Sequence, residues 1–167
     1  QTCALPISLK FIPNVYAIPA AYLVTRGTFS NTSPLTSYRG AGRPEAISLI
    51  ERLMDQAALQ LGIDPVALRQ RNYITPAQLP WKTPTGFVYD SGDFAMLTAR
   101  AQAAADWAGF DARRAASEAQ GFRRGRALTY YIEMGGRLND RMELRCDPGG
   151  NVTIVAGTHS HGQGHAT

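Results

Sequence analysis

The chain has 167 residues, of which 44% are hydrophobic and 18% are charged, and its net charge is +4 at pH 7. This balance is typical of a globular protein and excludes a disordered chain, while the longest apolar run, which Pro19 interrupts, is too short to span a bilayer. Two cysteines without a Cys-x-x-Cys pair provide no disulfide framework, which favours a reducing compartment and predicts a cytoplasmic protein.

The first seven residues do not resemble the start of a natural protein. Residues 1–7 are what CAG ACG TGT GCT CTT CCG ATC encodes, which reads like a sequencing adapter. They are therefore expected to be an artefact and are set aside in predicting the fold. Since the chain also stops at Thr167 within a glycine-rich motif, we expect an internal fragment of a longer protein.

The first half of the chain predicts extended segments followed by two helices. Residues 8–25 mix β-branched and aromatic residues with two prolines, which indicates short strands or extended segments. From Pro44 the apolar residues recur at the spacing of one helix face, and Gly62 is placed as the C-terminal cap. Asp64 then caps a second helix, with Pro65 at its first position, that runs to about Arg71.

The second half predicts an irregular connector, two more helices and then strands. Residues 72–90, rich in aromatic residues and proline, read as a packed connector. A third helix is predicted from residues 91–93 to about residue 108, and a fourth from residue 111 to about residue 121. Strands are predicted over residues 126–134, 142–147 and 152–156, the last two as a hairpin around a Pro-Gly-Gly-Asn turn. The fold class is therefore mixed, α+β, with a boundary near residue 120 that separates residues 8–120 from residues 121–167.

Two glycine-rich stretches are the candidate binding motifs. In Tyr38-Arg39-Gly40-Ala41-Gly42-Arg43-Pro44 the glycines permit positive φ and a close ligand approach, and the helix that follows offers free amides to an anion. A tight turn that merely enters a surface helix is the plainer alternative. The second stretch runs from Gly157 to Thr167, where Gln163 offers both a donor and an acceptor.

Two other classes of protein remain open. His159, His161 and His165 would suit a zinc hydrolase, but no carboxylate or cysteine lies among them to complete a ligand set. A basic helical scaffold or nucleic-acid-binding module would use the arginine clusters at residues 113–114 and 123–126. No aromatic residues interleave with these arginines, so we expect a solvated face or a dock for an acidic partner and no nucleic acid.

The sequence resembles the molybdenum-binding large subunit of the xanthine dehydrogenase, aldehyde oxidase and aerobic carbon monoxide dehydrogenase family. The resemblance covers residues 8–167, and its strength comes from the number and order of the matching segments. These are residues 11–16 (Phe-Ile-Pro-Asn-Val-Tyr), the Arg39 motif, residues 51–55, residues 83–86, residues 89–94 and Gly162-Gln163-Gly164-His165.

The resemblance implies a fold, a cofactor and site residues. The chain would span the end of one molybdopterin-binding domain and the start of the next. Arg39 would lie beside the molybdenum, and the cofactor, in its molybdopterin cytosine dinucleotide form, would be bound by the two glycine loops. The implied cofactor-binding residues are Arg39, Gly40, Ala41, Gly42, Gly162, Gln163, Gly164 and His165.

The resemblance also implies an activity and partners. It implies oxidative hydroxylation of an aldehyde or N-heterocycle, with electrons passing to 2Fe-2S and FAD centres on partner subunits or domains, in a homo-oligomer of heterotrimers. Members that oxidise carbon monoxide read Tyr-Arg-Cys-Ser-Phe-Arg here and hold copper through the cysteine, whereas this chain has Gly40 and resembles the cysteine-lacking form II. The family's general base lies in a motif that these residues lack, so Glu45, Glu133 and Glu143 are not assigned as the base.

Overall fold

The computed structural model describes residues 4–32, 39–133, 141–158 and 162–164. The chain divides into two compact units, Gln1–Glu133 and Met134–Thr167. Helices dominate the first unit and a hairpin dominates the second, so the fold is mixed α+β. The limits of a compact unit need not be those of a homologous domain, so the domain boundary near residue 120 stays a prediction. The interpretation of residues 1–7 as an artefact stays a prediction as well.

The first unit begins with helix α1, Ala4–Phe11. The prediction of extended structure is wrong for residues 8–11, because this segment packs as a helix against the next helix. Residues 12–15 form a turn, and among residues 16–25 the only regular pairing is a bridge between Tyr16 and Tyr73, so no predicted strand is present there. Pro13 and Pro19 lack the N–H that a longer ladder would need.

Helices α2, Arg43–Leu61, and α3, Pro65–Asn72, confirm the two predicted helices. Gly62 ends α2 with φ of 64°, a left-handed conformation that glycine adopts without strain. The Asp64 carboxylate accepts a 2.9 Å hydrogen bond from the Ala67 N–H and thus caps α3.

The connector contains a 3₁₀ turn at Pro76–Gln78 and a two-strand ribbon, β1 at Trp81–Lys82 and β2 at Val88–Tyr89. Helices α4, Phe94–Ala104, and α5, Phe110–Glu118, follow. The third helix ends about four residues earlier than predicted, and Asp106 just beyond it has a left-handed φ of 44°.

The predicted strand over residues 126–134 is wrong for residues 126–133, which have no regular secondary structure. No strand forms over these residues because they have no strand partner in the described part of the unit. The Tyr130 carbonyl instead accepts a 3.0 Å hydrogen bond from the Asn14 side chain. Residue 134 lies outside the described ranges.

The core of the first unit is aromatic and aliphatic, and it holds a buried ion pair. Its buried members are Val15, Tyr16, Ile50, Tyr73, Ile74 and Phe94. Beside them the Arg69 Nε donates to Glu51 Oε2 over 2.8 Å. Glu51 Oε1 also accepts hydrogen bonds of 2.7 Å from Asn14 and from Tyr16, so the carboxylate is fully engaged. This network ties α2 to α3 and to the segment after α1.

The second unit contains the predicted hairpin, with strands β3 at Met142–Cys146 and β4 at Val152–Ala156. The strands are antiparallel, with Met142 opposite Ala156 and Cys146 opposite Val152. In the turn, the Asp147 carboxylate accepts from the Gly149 and Asn151 N–H groups. Among the helices that the structure describes, none has the length and apolar character needed to cross a membrane.

Candidate cofactor-binding loop

The glycine motif forms a tight left-handed turn immediately before α2. Its three central residues all have positive φ, namely 86° at Gly40, 42° at Ala41 and 90° at Gly42. The Arg43 N–H closes the turn through a 2.9 Å hydrogen bond to the Gly40 carbonyl. Two of the three positions are glycine because a Cβ disfavours this region, and Ala41 carries that strain.

Gly40 is also required by its packing. A Cβ built on Gly40 would lie 2.8 Å from the Pro44 Cδ and 2.8 Å from the Tyr131 hydroxyl oxygen. Such distances are well inside van der Waals contact. The Pro44 Cδ belongs to a rigid ring at the start of α2 and cannot move aside, whereas the Tyr131 hydroxyl lies at the end of a side chain that is 48% exposed. The sequence predicted the glycine from backbone freedom alone, whereas the structure adds a steric reason.

Arg43 joins the loop to two distant parts of the chain. Its Nη1 donates to the Gly40 carbonyl over 3.1 Å, and its guanidinium carbon lies 4.7 Å from the centre of the Phe11 ring. Its Nε lies 2.8 Å from Glu133 Oε1, an ion pair by distance in which Nε forms no aligned hydrogen bond within the described residues. The Arg43 side chain is 14% exposed and that of Glu133 is 50% exposed.

The segment from Tyr130 to Glu133 crosses the loop with its side chains alternating in direction. Tyr130 and Ile132 pack against the core, and the Tyr130 hydroxyl donates to the Phe94 carbonyl over 2.7 Å. Tyr131 faces Gly40, and Glu133 faces Arg43. Partial burial, followed by the charge of Glu133, raises the pKa of Tyr131, so its hydroxyl stays protonated at neutral pH.

Sequence reasoning missed these supporting residues. It placed residues 126–134 in a strand and gave Glu133 no role. The period-two alternation of Tyr130, Tyr131, Ile132 and Glu133 was the available signal, since it separates inward from outward side chains even where no strand forms.

The buried network holds the helix that carries the loop. The Arg69 Nη2 donates to the Glu51 carbonyl over 3.0 Å, in addition to its bond to the Glu51 carboxylate. Burial, and then the hydrogen bond to Glu51, strongly raise the pKa of Tyr16. The network therefore fixes α2 beneath the loop without contributing an ionisable group to the loop itself.

The second glycine loop belongs to the other unit. Gly162 and Gly164 have φ of 92° and 82°, and residues 162–164 are exposed. His165 lies outside the described residues, as do His159 and His161, so the zinc hypothesis is not tested. Within the described ranges no group of three or more His, Cys, Asp or Glu residues is arranged to hold a metal ion.

The loop before α2 fits an anionic cofactor in part. It stands at the start of a 19-residue helix, and Arg39 is exposed beside it. The positive end of the helix dipole and this guanidinium both favour negative charge. However, the Arg43 N–H is already bonded to Gly40, so other donors would have to contact the ligand. The assignment of Arg39, Gly40, Ala41 and Gly42 to the cofactor stays a prediction.

Comparison with known proteins identifies the domains to which the two glycine loops belong. Residues 2–73 match a molybdopterin cofactor-binding domain, and residues 100–167 match a second domain of the same description. The nicotine 6-hydroxylase large subunit of Paenarthrobacter nicotinovorans is 30% identical over 92% of this chain and 20% of its own length. The carbon monoxide dehydrogenase large chain of Afipia carboxidovorans is 32% identical over 91% of this chain and 21% of its own length.

The crystal structure of quinoline 2-oxidoreductase from Pseudomonas putida 86 extends the similarity to the fold. It matches 99% of this chain and 23% of its own chain, with 25% identity and a TM-score of 0.71. The chain thus spans about a fifth of the length of the curated relatives it matches. It contains segments of two molybdopterin-binding domains and belongs to the molybdenum hydroxylase large-subunit family, which includes the large chains of carbon monoxide dehydrogenase and nicotine 6-hydroxylase.

Proposed function

We propose that this chain is part of a molybdopterin-dependent oxidoreductase that hydroxylates an N-heterocycle or an aldehyde. The observation that carries the proposal is the left-handed loop from Gly40 to Gly42 at the start of α2, within a segment that matches a molybdopterin-binding domain. A bound molybdenum–pterin group would supply the oxygen transfer and the two-electron oxidation. The protein residues described here would bind that group and orient it.

The proposal gives each residue of the loop its own role in binding the cofactor. Arg39 would offer a cation beside the metal end of the cofactor, and Gly40 and Gly42 would let the backbone approach it closely. Gly162, Gln163, Gly164 and His165 would contact the cofactor from the second unit. The cytosine dinucleotide form of the cofactor belongs to the proposal as well.

The sequence of the loop supports an N-heterocycle more than carbon monoxide, and the relatives include enzymes named for each kind of substrate. Nicotine 6-hydroxylase and quinoline 2-oxidoreductase are both named for nitrogen-containing ring substrates. Residues 38–46 contain no cysteine, and a Cβ at residue 40 would lie 2.8 Å from the Pro44 ring and 2.8 Å from the Tyr131 hydroxyl. Copper(I) needs a soft ligand such as a thiolate, so this loop cannot hold copper through residue 40.

Electrons would leave through partner subunits or domains that carry 2Fe-2S and FAD groups, in a cytoplasmic homo-oligomer of heterotrimers. The 6-hydroxypseudooxynicotine dehydrogenase complex, whose subunit gamma is 29% identical over 91% of this chain, is named as a multi-subunit assembly. That name supports the expectation of partner subunits for this chain.

The arginine clusters give less support to a nucleic-acid-binding scaffold. Arg126 lies 4.6 Å from the Trp107 ring centre and 4.5 Å from the Phe110 ring centre, and it donates to the Trp107 carbonyl. Arg113 pairs with Asp106, and the Arg124 Nε donates to the Ser117 hydroxyl over 2.9 Å. These cations are engaged in holding α4, α5 and the segment that follows.

The test is elemental analysis of the purified holoenzyme that contains this chain, together with dye-reduction assays. We expect molybdenum without stoichiometric copper, and reduction of the dye with N-heterocycles or aldehydes but not with carbon monoxide. Zinc in place of molybdenum would overturn the proposal, and so would copper together with rapid oxidation of carbon monoxide.

A further inference from the structure

We propose that Arg43 is the positioning residue of the glycine loop, and that it fixes the direction of the Gly40 carbonyl and thereby the backbone that faces the cofactor. This inference rests on the proposed function of the loop. It assigns a role to a side chain within the motif that the glycine pattern does not single out.

The first support is that Arg43 contacts three segments that are far apart in sequence. Its Nη1 contacts the Gly40 carbonyl at 3.1 Å, its Nε pairs with Glu133 at 2.8 Å, and its guanidinium carbon lies over the Phe11 ring, 4.7 Å from the ring centre. Phe11 is 3% exposed and is itself held by the Phe87 ring, 4.9 Å away. The Arg43 guanidinium is therefore held in place by the buried Phe11 ring, and it in turn holds the Gly40 carbonyl through the hydrogen bond from Nη1.

The second support is that only arginine can make these contacts together. The planar guanidinium presents several N–H groups at fixed angles and stacks its face on an aromatic ring. A lysine ammonium could keep an ion pair with Glu133, but it has one nitrogen and no planar face. An Arg43→Lys variant thus keeps the ion pair with Glu133 while it removes the guanidinium contacts to Gly40 and Phe11.

The third support is that the loop needs a restraint. Gly40, Ala41 and Gly42 all have positive φ, which is unfavourable for alanine, and glycine has many alternative conformations. The Gly40 carbonyl accepts both the Arg43 N–H and the Arg43 Nη1. Loss of the side-chain bond would leave the Gly40 carbonyl, among the contacts that the described residues make, with the Arg43 N–H alone and would allow the peptide after Gly40 to rotate.

The experiment compares wild-type holoenzyme with the Arg43→Lys and Glu133→Gln variants, and with Arg52→Lys as the matched control. Arg52 is an exposed arginine on the same helix, so its variant removes a guanidinium without touching the loop. Hydrogen–deuterium exchange is followed in peptides covering residues 39–46 and the second half of α2. Molybdenum content, KM and kcat are measured on the same samples.

For Arg43→Lys we expect exchange over residues 39–46 to rise about tenfold, as loss of a charged hydrogen bond predicts, while the second half of α2 is unchanged. Molybdenum content should fall, and kcat should fall in the loaded fraction more than KM rises. Glu133→Gln should shift the same quantities in the same direction but less, because Glu133 is half exposed. Arg52→Lys should match the wild type.

The outcomes separate this inference from the proposed function. If wild-type enzyme contains molybdenum and is active but Arg43→Lys exchanges and turns over like the wild type, Arg43 has no positioning role. Uniformly faster exchange along α2 would mean a general structural role and would also overturn the inference. Wild-type enzyme that contains no molybdenum would contradict the proposed function instead, whatever the variants do.

Discussion

Two arginine–glutamate pairs in this chain have the same geometry and opposite surroundings. Arg69 Nε lies 2.8 Å from Glu51 in the first unit, with side chains 1% and 3% exposed. Arg145 Nε lies 2.8 Å from Glu143 on strand β3, with side chains 65% and 45% exposed. The contact distance is therefore no guide to the contribution of either pair. Burial decides it, because water screens the exposed pair and has been removed from the other.

The same contrast separates the two units as a whole. The loop before α2 rests on a helix that the Glu51 network fixes, and the Tyr130–Glu133 segment covers it. The hairpin has an apolar face made by residues directly opposite one another across the strands, and that face is exposed. Its largest members are Met142, Leu144, Val152 and Ile154, each more than 60% exposed. Among the residues that the structure describes, side chains pack around the regular elements of the first unit, whereas those of the hairpin face are exposed.

The largest effect is expected from removing the buried cation. Arg69→Met would leave the Glu51 carboxylate buried without its counter-ion and should lower the free energy of unfolding by about 3–5 kcal/mol. Arg145→Met, the matched change in the exposed pair, should cost less than about 1 kcal/mol. Chemical denaturation, monitored by hydrogen exchange in α2 and in β3, measures both. Equal losses for the two variants would show that burial is not what separates the pairs.

A second matched pair of positions tests packing at a fixed backbone conformation. Gly40 and Gly150 both have φ of +86°, but a Cβ on Gly40 would meet Pro44 and Tyr131 at 2.8 Å, whereas a Cβ on Gly150 would meet nothing within 4 Å. Gly150→Ala should cost about 1–2 kcal/mol for the left-handed conformation alone. Gly40→Ala should cost about 1–3 kcal/mol more, because of overpacking.

Chemical denaturation monitored by hydrogen exchange also measures the stability of the Gly40→Ala and Gly150→Ala variants. Gly40→Cys should be at least as destabilising as Gly40→Ala and should bind no copper, since the thiol has no space beside Pro44. A Gly40→Ala variant no less stable than Gly150→Ala would contradict the steric role of Tyr131 and Pro44.

The sequence predicted what depends on neighbouring residues. Gly62 and Asp64 marked the end of α2 and the start of α3, and the hairpin followed from its turn and the alternation of its strands. The glycines of the loop were found for the same reason, since positive φ is a local requirement.

The sequence did not predict what depends on distant residues. Phe11, Gly40 and Glu133 meet around Arg43 although more than 120 residues separate the first from the last. Residues 126–133 have the composition of a strand, yet none of the described strands lies beside them. Tyr130 and Ile132 pack against the core instead, and the Tyr130 carbonyl accepts a hydrogen bond from Asn14. Residues 8–11 were misassigned in the same way, because packing against α2 outweighed their local preference.

The smallest effect on stability is expected from a change of pH. The two units should respond with opposite sign, the second losing stability in acid and the first in alkali. Hydrogen bonds from the Asn151 side chain and backbone, with a further one from the Gly149 N–H, lower the pKa of the Asp147 carboxyl below its ordinary 3.8. Since the folded pKa is the lower one, this contribution to stability is present above about pH 4 and is lost as the pH falls through the folded pKa.

In the first unit, burial raises the pKa of Tyr89 to about 12. That contribution is present below the unfolded pKa of about 10 and is lost as the pH rises through about 12. Acid should therefore loosen the hairpin turn of the second unit, and alkali should loosen the packing around Tyr89 in the first unit. An NMR titration of the Gly149 and Asn151 amides, repeated with Asp147→Asn, measures the acid limb. An unchanged titration in the variant would show that Asp147 does not control the turn.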